Sequence, residues 1–455
     1  MDQFAFTSRR GLLKSWACGF GMVALHDLLA RTTPQAFAAN DTLQIAGRAK
    51  RVIFVFLQGA PSHLDTFDYK PQLAAKDGNP ENPDSGNPRK LFGSPWKFSQ
   101  HGESGHWISE LHPHIAKHAD KLCVLKSLVT DIPNHPQATL QMHTGSFRFA
   151  RPSLGSWVLY GLGSANNELP GFIAVNALTR VGGTQNYGNA FLPARYQATR
   201  IGTEGQNLAE AKFSHIANSQ LSGVLQRRQL ELMSRLHAER PDGPESELEG
   251  VIQSYELAFR MQHSVPKLLD LSQETATTLA EYGVGTPETD AFGRQCLLAR
   301  RSIEAGVRFV EITSTGWDHH QNLRRNLVQG CRSIDQPVAA LLGDLERRGL
   351  LEDTLVLFGG EFGRTPSTQN NDGRDHHVNG FTMWMAGAGV KAGASYGTTN
   401  EIGTEVVDRK MHIYDLQATL LHLLGLDHEQ LTYQYAGRNF RLTDVYGQVV
   451  HDILA

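Results

Sequence analysis

The stretch Arg51-Val-Ile-Phe-Val-Phe-Leu57 is apolar at almost every position and ends at Gln58-Gly59. A strand covered on both faces carries apolar side chains at consecutive positions, whereas a half-exposed strand alternates apolar and polar residues. The run therefore predicts a buried strand in the middle of a sheet. Runs of the same kind recur at 122–128, 307–313, 354–358 and 381–386.

Helical apolar patterns lie between these strands. They occupy residues 109–119, 136–144, 290–305, 323–348 and 414–424. Strands that alternate with helices favour an α/β fold, in which helices cover both faces of the sheet. In such sheets, function is concentrated in the loops at the carboxyl ends of the strands.

A polar segment at about 205–280 interrupts the alternation. It contains two helical patterns, 226–239 and 245–260, which are separated by Pro241-Asp-Gly-Pro244. Because proline and glycine end helices, we predict a helical insertion here, within a single domain that spans 50–455.

The amino-terminal segment predicts export. It contains Thr7-Ser-Arg-Arg-Gly-Leu-Leu-Lys14, a modestly apolar run, and then Ala36-Phe-Ala38. Paired arginines before an apolar run, followed by a small-x-small cleavage motif, are typical of twin-arginine signal peptides. We therefore expect a signal peptide at 1–38, recognition by the twin-arginine translocase, and a periplasmic or secreted protein. The alternative is an ordinary basic amino terminus that happens to contain two arginines.

Composition and charge exclude several other classes of protein. Charged residues make up 20% of the chain with a net charge of −3 and no long basic run, so no nucleic-acid partner is expected. The apolar run 16–29 contains His26 and Asp27 and is shorter than the roughly 20 residues of a spanning helix, so no stable membrane span is expected. After cleavage of the signal peptide three cysteines would remain, Cys123, Cys296 and Cys331, and because they are far apart and odd in number no disulfide scaffold is expected.

Chemically active side chains follow the predicted strands. They are Ser62, His63 and Asp65, then Asp318 and His320, then Glu361 and Arg364, and finally His376 and His377. If the strand ends share one edge, these groups meet there. Carboxylates and imidazoles bind divalent metals, and a guanidinium holds sulfate or phosphate through its planar fork. The combination predicts a divalent metal ion and an anionic ester substrate, either a small molecule or a polysaccharide.

Each of these residues also has a structural alternative. A single histidine at a strand end more often hydrogen-bonds a neighbour than binds metal, and Arg364 has the alternative of bracing the loop that carries Glu361. The occurrence of Asp318 with His320, together with a later histidine pair, favours metal binding over these alternatives.

Longer motifs resemble a known family. They are Phe56-Leu-Gln-Gly-Ala-Pro-Ser-His-Leu-Asp-Thr-Phe-Asp68, Gly316-Trp-Asp-His-His320, Gly360-Glu-Phe-Gly-Arg-Thr-Pro366 and Gly373-Arg-Asp-His-His377. The chain resembles the exported family called domain of unknown function 1501, which is similar to sulfatases and belongs to the alkaline phosphatase superfamily. The resemblance implies a three-layer α/β/α sandwich with a mostly parallel sheet and metal at its carboxyl edge. The ligands it implies are Asp318, His320 or Asn322, and His376 or His377, with Glu361 and Asp65 as further candidates.

The chain departs from the superfamily pattern at three positions. Sulfatases place a Cys or Ser nucleophile ahead of a Thr-Gly pair, and counting back from Thr144-Gly145 puts His135 at that position. Gln58 replaces an expected aspartate, and Phe362 replaces an expected histidine. Formylglycine chemistry is therefore not expected, and one metal ion is favoured over two. His135 then has three possible roles, as a metal ligand, a general acid or a nucleophile.

Two functions remain open at this point. The first is an exported metal-dependent hydrolase of sulfate or phosphate esters, in which His135 and Ser62 or His63 transfer protons or attack while Arg364 holds the anion. The second is an exported binding or assembly protein on the same fold that has lost its nucleophile, because fold does not guarantee activity. Histidines that converge on one point favour the hydrolase, and scattered histidines favour the binding protein.

Overall fold

A computed structural model describes residues 47–84, 89–206, 221–238 and 247–455. The predicted signal peptide at 1–38 and the Pro-Asp-Gly-Pro segment at 241–244 lie outside the described residues.

The regular elements follow the chain in this order. The strands are β1 Arg51–Leu57, β2 Phe98–His101, β3 His106–Ser109, β4 Leu122–Val129, β5 Phe172–Ala177, β6 Thr199–Thr203, β7 Phe309–Ser314, β8 Thr354–Gly359, β9 Gly363–Gln369, β10 Gly373–His377, β11 Phe381–Gly387, β12 Ser395–Tyr396, β13 Thr398–Thr399, β14 Val406–Asp408, β15 Met411–His412, β16 Tyr433–Tyr435 and β17 Arg438–Phe440. The α-helices are α1 Pro71–Ala75, α2 His135–Thr144, α3 Leu154–Leu162, α4 Gly223–Ala238, α5 Glu247–Leu269, α6 Ala276–Glu281, α7 Asp290–Glu304, α8 Leu323–Arg347 and α9 Ile413–Leu423.

A nine-stranded sheet forms the centre of the fold. Its order is β12-β4-β11-β8-β1-β7-β5-β6, and β15 also pairs with β4. β11 is antiparallel to both of its neighbours, β4 and β8, and the other pairs in this sheet are parallel. β1, β4, β7 and β8 therefore run in one direction, and their carboxyl ends lie at the same edge of the sheet.

Helices cover both faces of this sheet. The residues of β1 divide between two core clusters, with Ile53, Val55 and Leu57 in one and Val52, Phe54 and Phe56 in the other. Helices α7 and α8 contribute to the first cluster, and α3 and α9 to the second. Successive side chains of a strand point to opposite faces, so a strand that is apolar throughout needs a covering layer on each side. The predicted fold class, a three-layer α/β/α sandwich with a mostly parallel sheet, is confirmed.

Some elements differ from the sequence-based expectation. β5 and β6 are absent from the predicted strands, and the edge strand β6 has the sequence Thr-Arg-Ile-Gly-Thr, which lacks a continuous apolar run. The helix expected at 109–119 is wrong, because β3 extends to Ser109 and a 3-10 helix begins only at Ile115. The backbone N–H groups of His114 and Ile115 donate to the Asp335 carboxylate of α8. In an α-helix that began at 109 they would donate to backbone carbonyl oxygens of the preceding turn.

The polar segment at about 205–280 contains α4 and α5 in its described parts. Met261, Val265 and Leu268 of α5 are buried in the core cluster that includes α7 and α8. Leu225 and Leu232 of α4 are exposed. The limits of the insertion and of the domain remain predictions. Within the described residues, every helix is too short or too polar to cross a lipid bilayer.

Candidate metal centre

Four side chains converge at the carboxyl edge of the sheet. They are His135, Asp318, His320 and His376, and one ligand atom of each lies within 4.8 Å of the others. The Asp318 Oδ1 atom is at the centre of the group. It lies 3.1 Å from His135 Nε2, 2.9 Å from His320 Nε2 and 3.4 Å from His376 Nε2.

Parallel strands explain the convergence. His135 is the first residue of α2, which follows β4, and Asp318 and His320 follow β7. His376 lies on β10, which pairs with β9 in a hairpin that follows β8. Because β4, β7 and β8 run in the same direction, residues that are more than 180 positions apart reach the same edge.

Each imidazole of the cluster donates its Nδ1–H to an oxygen atom. His135 Nδ1 lies 2.5 Å from Glu361 Oε1, and His376 Nδ1 lies 2.7 Å from the backbone oxygen of Pro133. His320 Nδ1 contacts the amide oxygen of Gln369. Because these oxygens are acceptors, Nδ1 carries the proton in the neutral ring and Nε2 keeps a lone pair. Three Nε2 atoms, whose lone pairs are available when the rings are neutral, and one carboxylate oxygen therefore face a single point.

The carboxylate of Asp318 is held in its charged form. Its Oδ1 atom accepts a hydrogen bond from Arg364 Nη2 at 2.6 Å. Burial alone raises the pKa of this carboxyl, but His135, His376 and Arg364 outweigh burial and lower the pKa well below its usual range.

Arg364 was expected to hold the substrate anion, but its side chain is enclosed in the protein. Its side chain is 1% exposed. Besides Asp318, its guanidinium donates to the backbone oxygens of Gly59, Ala60 and Arg374. These contacts consume most of its N–H donors, so the structural alternative, bracing of the site, fits its position better than binding of a substrate.

Glu361 lies behind the cluster rather than in it. Its carboxylate is fully buried and accepts the Nδ1–H of His135 and the backbone N–H of Gly59, which is 3.0 Å away. It therefore orients a candidate ligand, His135, and is not itself part of the cluster.

Asp65 and Ser62 form a separate buried pair. The Asp65 carboxylate binds Arg374 through two contacts of 2.7 and 3.1 Å, and Ser62 Oγ donates to it at 2.5 Å. Both side chains are almost wholly buried. The expectation that Asp65 binds metal and that Ser62 meets the substrate is therefore not supported by their positions.

His63 and His377 also lie outside the cluster. Both are buried, and the Nε2 atom of each has no hydrogen-bond partner. Burial lowers the pKa of His63 well below its ordinary value, with a further contribution from His377, and burial lowers the pKa of His377 to about 4. Adjacent residues of a strand point to opposite faces, so His376 reaches the cluster and His377 points away from it.

Some functional positions had no signal in the sequence. The carbonyl of Pro133 and the side chain of Gln369 orient two of the histidines, but neither belongs to a recognisable motif. Asn322, the alternative to His320 as a ligand, instead adopts a left-handed backbone with φ of 55° and precedes α8.

The sequence matches a family described as "Protein of unknown function (DUF1501)" over residues 49–454. The chain belongs to this family. The suspected relationship is thereby confirmed. No curated protein matches the sequence.

Several solved structures share the general architecture of this DUF1501 chain. Ps i-CgsB in complex with k-i-k-neocarrahexaose matches with a TM-score of 0.40 and 11% identity, covering 83% of this chain and 72% of that one. The PsFucS1 sulfatase from Pseudoalteromonas sp. matches with a TM-score of 0.39 and 12% identity, covering 84% and 69%. The lipoteichoic acid synthase LtaP from Listeria monocytogenes matches with a TM-score of 0.37 and 9% identity, covering 90% and 78%. Similarity at this level carries no argument about activity.

The four-residue cluster fits a divalent cation. Burial lowers the pKa of His135, but the carboxylates of Asp318, 3.1 Å from Nε2, and of Glu361 outweigh burial and raise the pKa to about 9. A cation at this point takes the place of the proton that His135 shares with Asp318, and it binds the imidazole lone pairs together with the carboxylate. Imidazole-rich sets with one carboxylate suit zinc, iron and similar transition metals better than calcium or magnesium, which prefer oxygen ligands.

Proposed function

We propose that this protein is an exported, metal-dependent hydrolase of sulfate or phosphate esters. The observation that carries the proposal is the convergence of three imidazole Nε2 atoms on the Asp318 carboxylate. The site is also open, because the Asp318 side chain is 41% exposed and the His320 side chain 32%. A metal held by these residues keeps room for a substrate, as catalytic sites require.

A divalent metal ion in this position would polarise an ester oxygen and lower the pKa of bound water. The surrounding residues orient the side chains that would bind this metal ion. Glu361 fixes the tautomer of His135, and Arg364 fixes the rotamer of Asp318 while it offsets part of its negative charge. His135 is in this proposal a ligand, which is one of the three roles left open by the sequence.

The anionic part of the substrate needs a binding group other than Arg364. The amino terminus of α2 begins at His135 itself, and its N-cap residue Asn134 makes no side-chain capping bond. Asn134 and Gln137 are exposed beside the cluster. Pro136 in the first turn has no N–H, so the backbone N–H groups of His135 and Gln137, together with the helix dipole, are the groups that attract a sulfate or phosphate here. We assign the anion to this helix end and to the metal.

The proposed chemistry uses water rather than a protein nucleophile. Ser62 and His63 are 1% and 3% exposed, so neither side chain is open to a substrate. The lack of an accessible protein nucleophile also fits the alternative function, a binding protein that retains the metal site but does not hydrolyse esters.

Metal analysis combined with an activity screen tests the proposal. We expect about one equivalent of a transition metal in the mature protein and turnover of 4-nitrophenyl sulfate, 4-nitrophenyl phosphate or bis(4-nitrophenyl) phosphate. Asp318→Asn should lose the metal and reduce turnover at least about a hundredfold. Asp353→Asn, which changes an ion pair with Arg51, serves as the control.

The outcomes separate the two functions. Metal binding without turnover of any of the three esters would support the binding protein. Absence of metal from the wild type would refute both the hydrolase and the metal centre.

A further inference from the structure

A buried pair of charged side chains joins two of the elements that carry the metal cluster. His143 Nε2, on α2, lies 2.9 Å from Glu311 Oε1, on β7. The two side chains are 3% and 1% exposed. Helix α2 begins at His135, and the loop after β7 carries Asp318. The pair therefore connects the element of one cluster residue with the element that leads to another.

The imidazole of His143 lies between two hydrogen-bond acceptors. Its Nδ1 is 2.7 Å from the backbone oxygen of Thr139, and its Nε2 faces Glu311. A ring between two acceptors donates from both nitrogens and is therefore an imidazolium. Burial lowers the pKa of His143, but Glu311 outweighs burial and raises this pKa. The contact is thus a charge-assisted hydrogen bond, which is short and directional.

Aromatic rings hold the same imidazole in place. The ring centroids of Phe56 and His143 are 4.7 Å apart at an interplanar angle of 82°, and the Phe54 ring is 5.7 Å from His143. Both phenylalanines belong to β1, which pairs in parallel with β7. His143 is consequently confined by two neighbouring strands, and sliding of α2 along the sheet breaks its contact with Glu311.

Both elements pass this restraint on to the cluster. His135 and His143 are separated by about 12 Å of α-helix, and a helix is stiff over this length, so a displacement of His143 also displaces His135. The loop between β7 and Asp318 is held as well, because the backbone N–H of Trp317 donates to the backbone oxygen of Gln58.

Stability alone does not require a charged pair at this place. Buried ion pairs can often be replaced by apolar residues of similar volume with little loss of stability, whereas a hydrogen bond has a direction that apolar contacts lack. We infer that Glu311 and His143 form a positioning pair, which fixes α2 against β7 and so sets the distance between His135 Nε2 and Asp318 Oδ1. The inference rests on the metal centre of the proposed function and is independent of ester hydrolysis.

Three variants separate positioning from stability. Glu311→Leu/His143→Phe replaces the pair by apolar side chains. Glu311→Gln removes the charge but keeps a hydrogen bond, because the amide can donate to the neutral imidazole. His112→Leu disrupts another buried histidine–carboxylate pair, with Asp335, outside α2 and β7. Chelator competition measures the affinity for zinc, and thermal unfolding of the metal-free proteins measures stability.

We expect the double variant to bind zinc about tenfold more weakly than wild type while its thermal stability stays close to that of wild type. Glu311→Gln and His112→Leu should keep the affinity of wild type, His112→Leu in spite of a lower thermal stability. The absorption spectrum of bound Co²⁺ should change only in the double variant, because it depends on the positions of the ligands.

The opposite results would overturn the inference. One is a double variant with the zinc affinity and the Co²⁺ spectrum of wild type, and another is an equal loss of affinity in His112→Leu. Either result would leave the proposed hydrolase intact, which is judged by turnover of small esters. If the double variant does not fold, Glu311→Leu takes its place and is compared with His112→Leu. Absence of zinc binding by wild type would refute the metal centre and the positioning pair together.

Discussion

His135 Nδ1 lies 2.5 Å from Glu361 Oε1, so a fully buried carboxylate sets the tautomer of an imidazole whose other nitrogen faces Asp318. The two residues are 226 positions apart in the chain. In the proposed metal centre, their pairing directs a histidine at the start of a helix towards the metal, and it also explains why Glu361 itself does not enter the cluster.

Replacement of this buried carboxylate should weaken metal binding. In Glu361→Gln, the charge that favours the Nδ1–H tautomer is lost, and we expect a decrease of about 10- to 100-fold in affinity for zinc. Chelator competition measures the affinity. Glu352→Gln, at an exposed position before β8, should leave it unchanged. Equal affinities of Glu361→Gln and wild type would mean that the pair does not orient the ligand.

The two adjacent histidines of β10 should respond differently to substitution. His376→Asn removes a ligand and should abolish stoichiometric metal, whereas His377→Asn should retain about one equivalent, because the pleat of the strand directs His377 away from the cluster. Elemental analysis after gel filtration reports the difference. Loss of metal in His377→Asn, with unchanged thermal stability, would show that the ligand set is assigned wrongly.

Arg364 should be important for stability as well as for the site. Lysine cannot reproduce its contacts with three backbone oxygens and Asp318, so Arg364→Lys should lower the free energy of unfolding by about 3 kcal/mol. Urea denaturation of the metal-free protein measures this loss. Arg325→Lys, at an exposed position on α8, should stay within about 0.5 kcal/mol of wild type. A similarly small effect at Arg364 would argue against its role as a brace.

The buried pair of His112 and Asp335, which lies outside the sequence motifs, should make the stability of the protein depend on pH. Burial lowers the pKa of His112, but Cys331 and Asp335 raise it to about 10. Because the folded-state pKa exceeds the unfolded value of about 6.5, the stabilisation is complete below pH 6.5 and is lost as the pH rises towards 10.

Denaturation of metal-free protein at several pH values tests this effect. Between pH 7 and pH 10, wild type should lose more of its free energy of unfolding than His112→Gln, which has no titrating imidazole. Parallel pH dependences of the two proteins would exclude a protonated His112 in the folded state.

The export proposal concerns residues that the structure does not describe. Replacement of both arginines in Arg9→Lys/Arg10→Lys should retain the full-length precursor in the cytoplasm, since the twin-arginine translocase recognises the pair. Cell fractionation with an antibody against the mature protein measures the distribution. An unchanged periplasmic or secreted fraction would favour the alternative of an ordinary basic amino terminus.

Local sequence predicted which residues meet in the candidate cluster, because these residues follow recognisable strands. Asp318, His320 and His376 were expected as ligands, and His135 was singled out with ligation among its possible roles. The sequence could not separate His376 from His377, because that choice depends on which face of β10 points to the edge. It also placed Asp65 and Glu361 among the ligands, although both carboxylates are buried against partners more than 200 positions away.

The sequence by itself determined the α/β class, because uninterrupted apolar strands such as Arg51–Leu57 cannot be stable without cover on both faces. It also determined that carboxylates and imidazoles follow those strands. Only the tertiary structure decided which of these groups meet, that Arg364 is enclosed and that Glu361 supports His135. The physical reason is that short-range patterns record burial and periodicity, whereas a metal site depends on side-chain direction and on hydrogen bonds between distant segments.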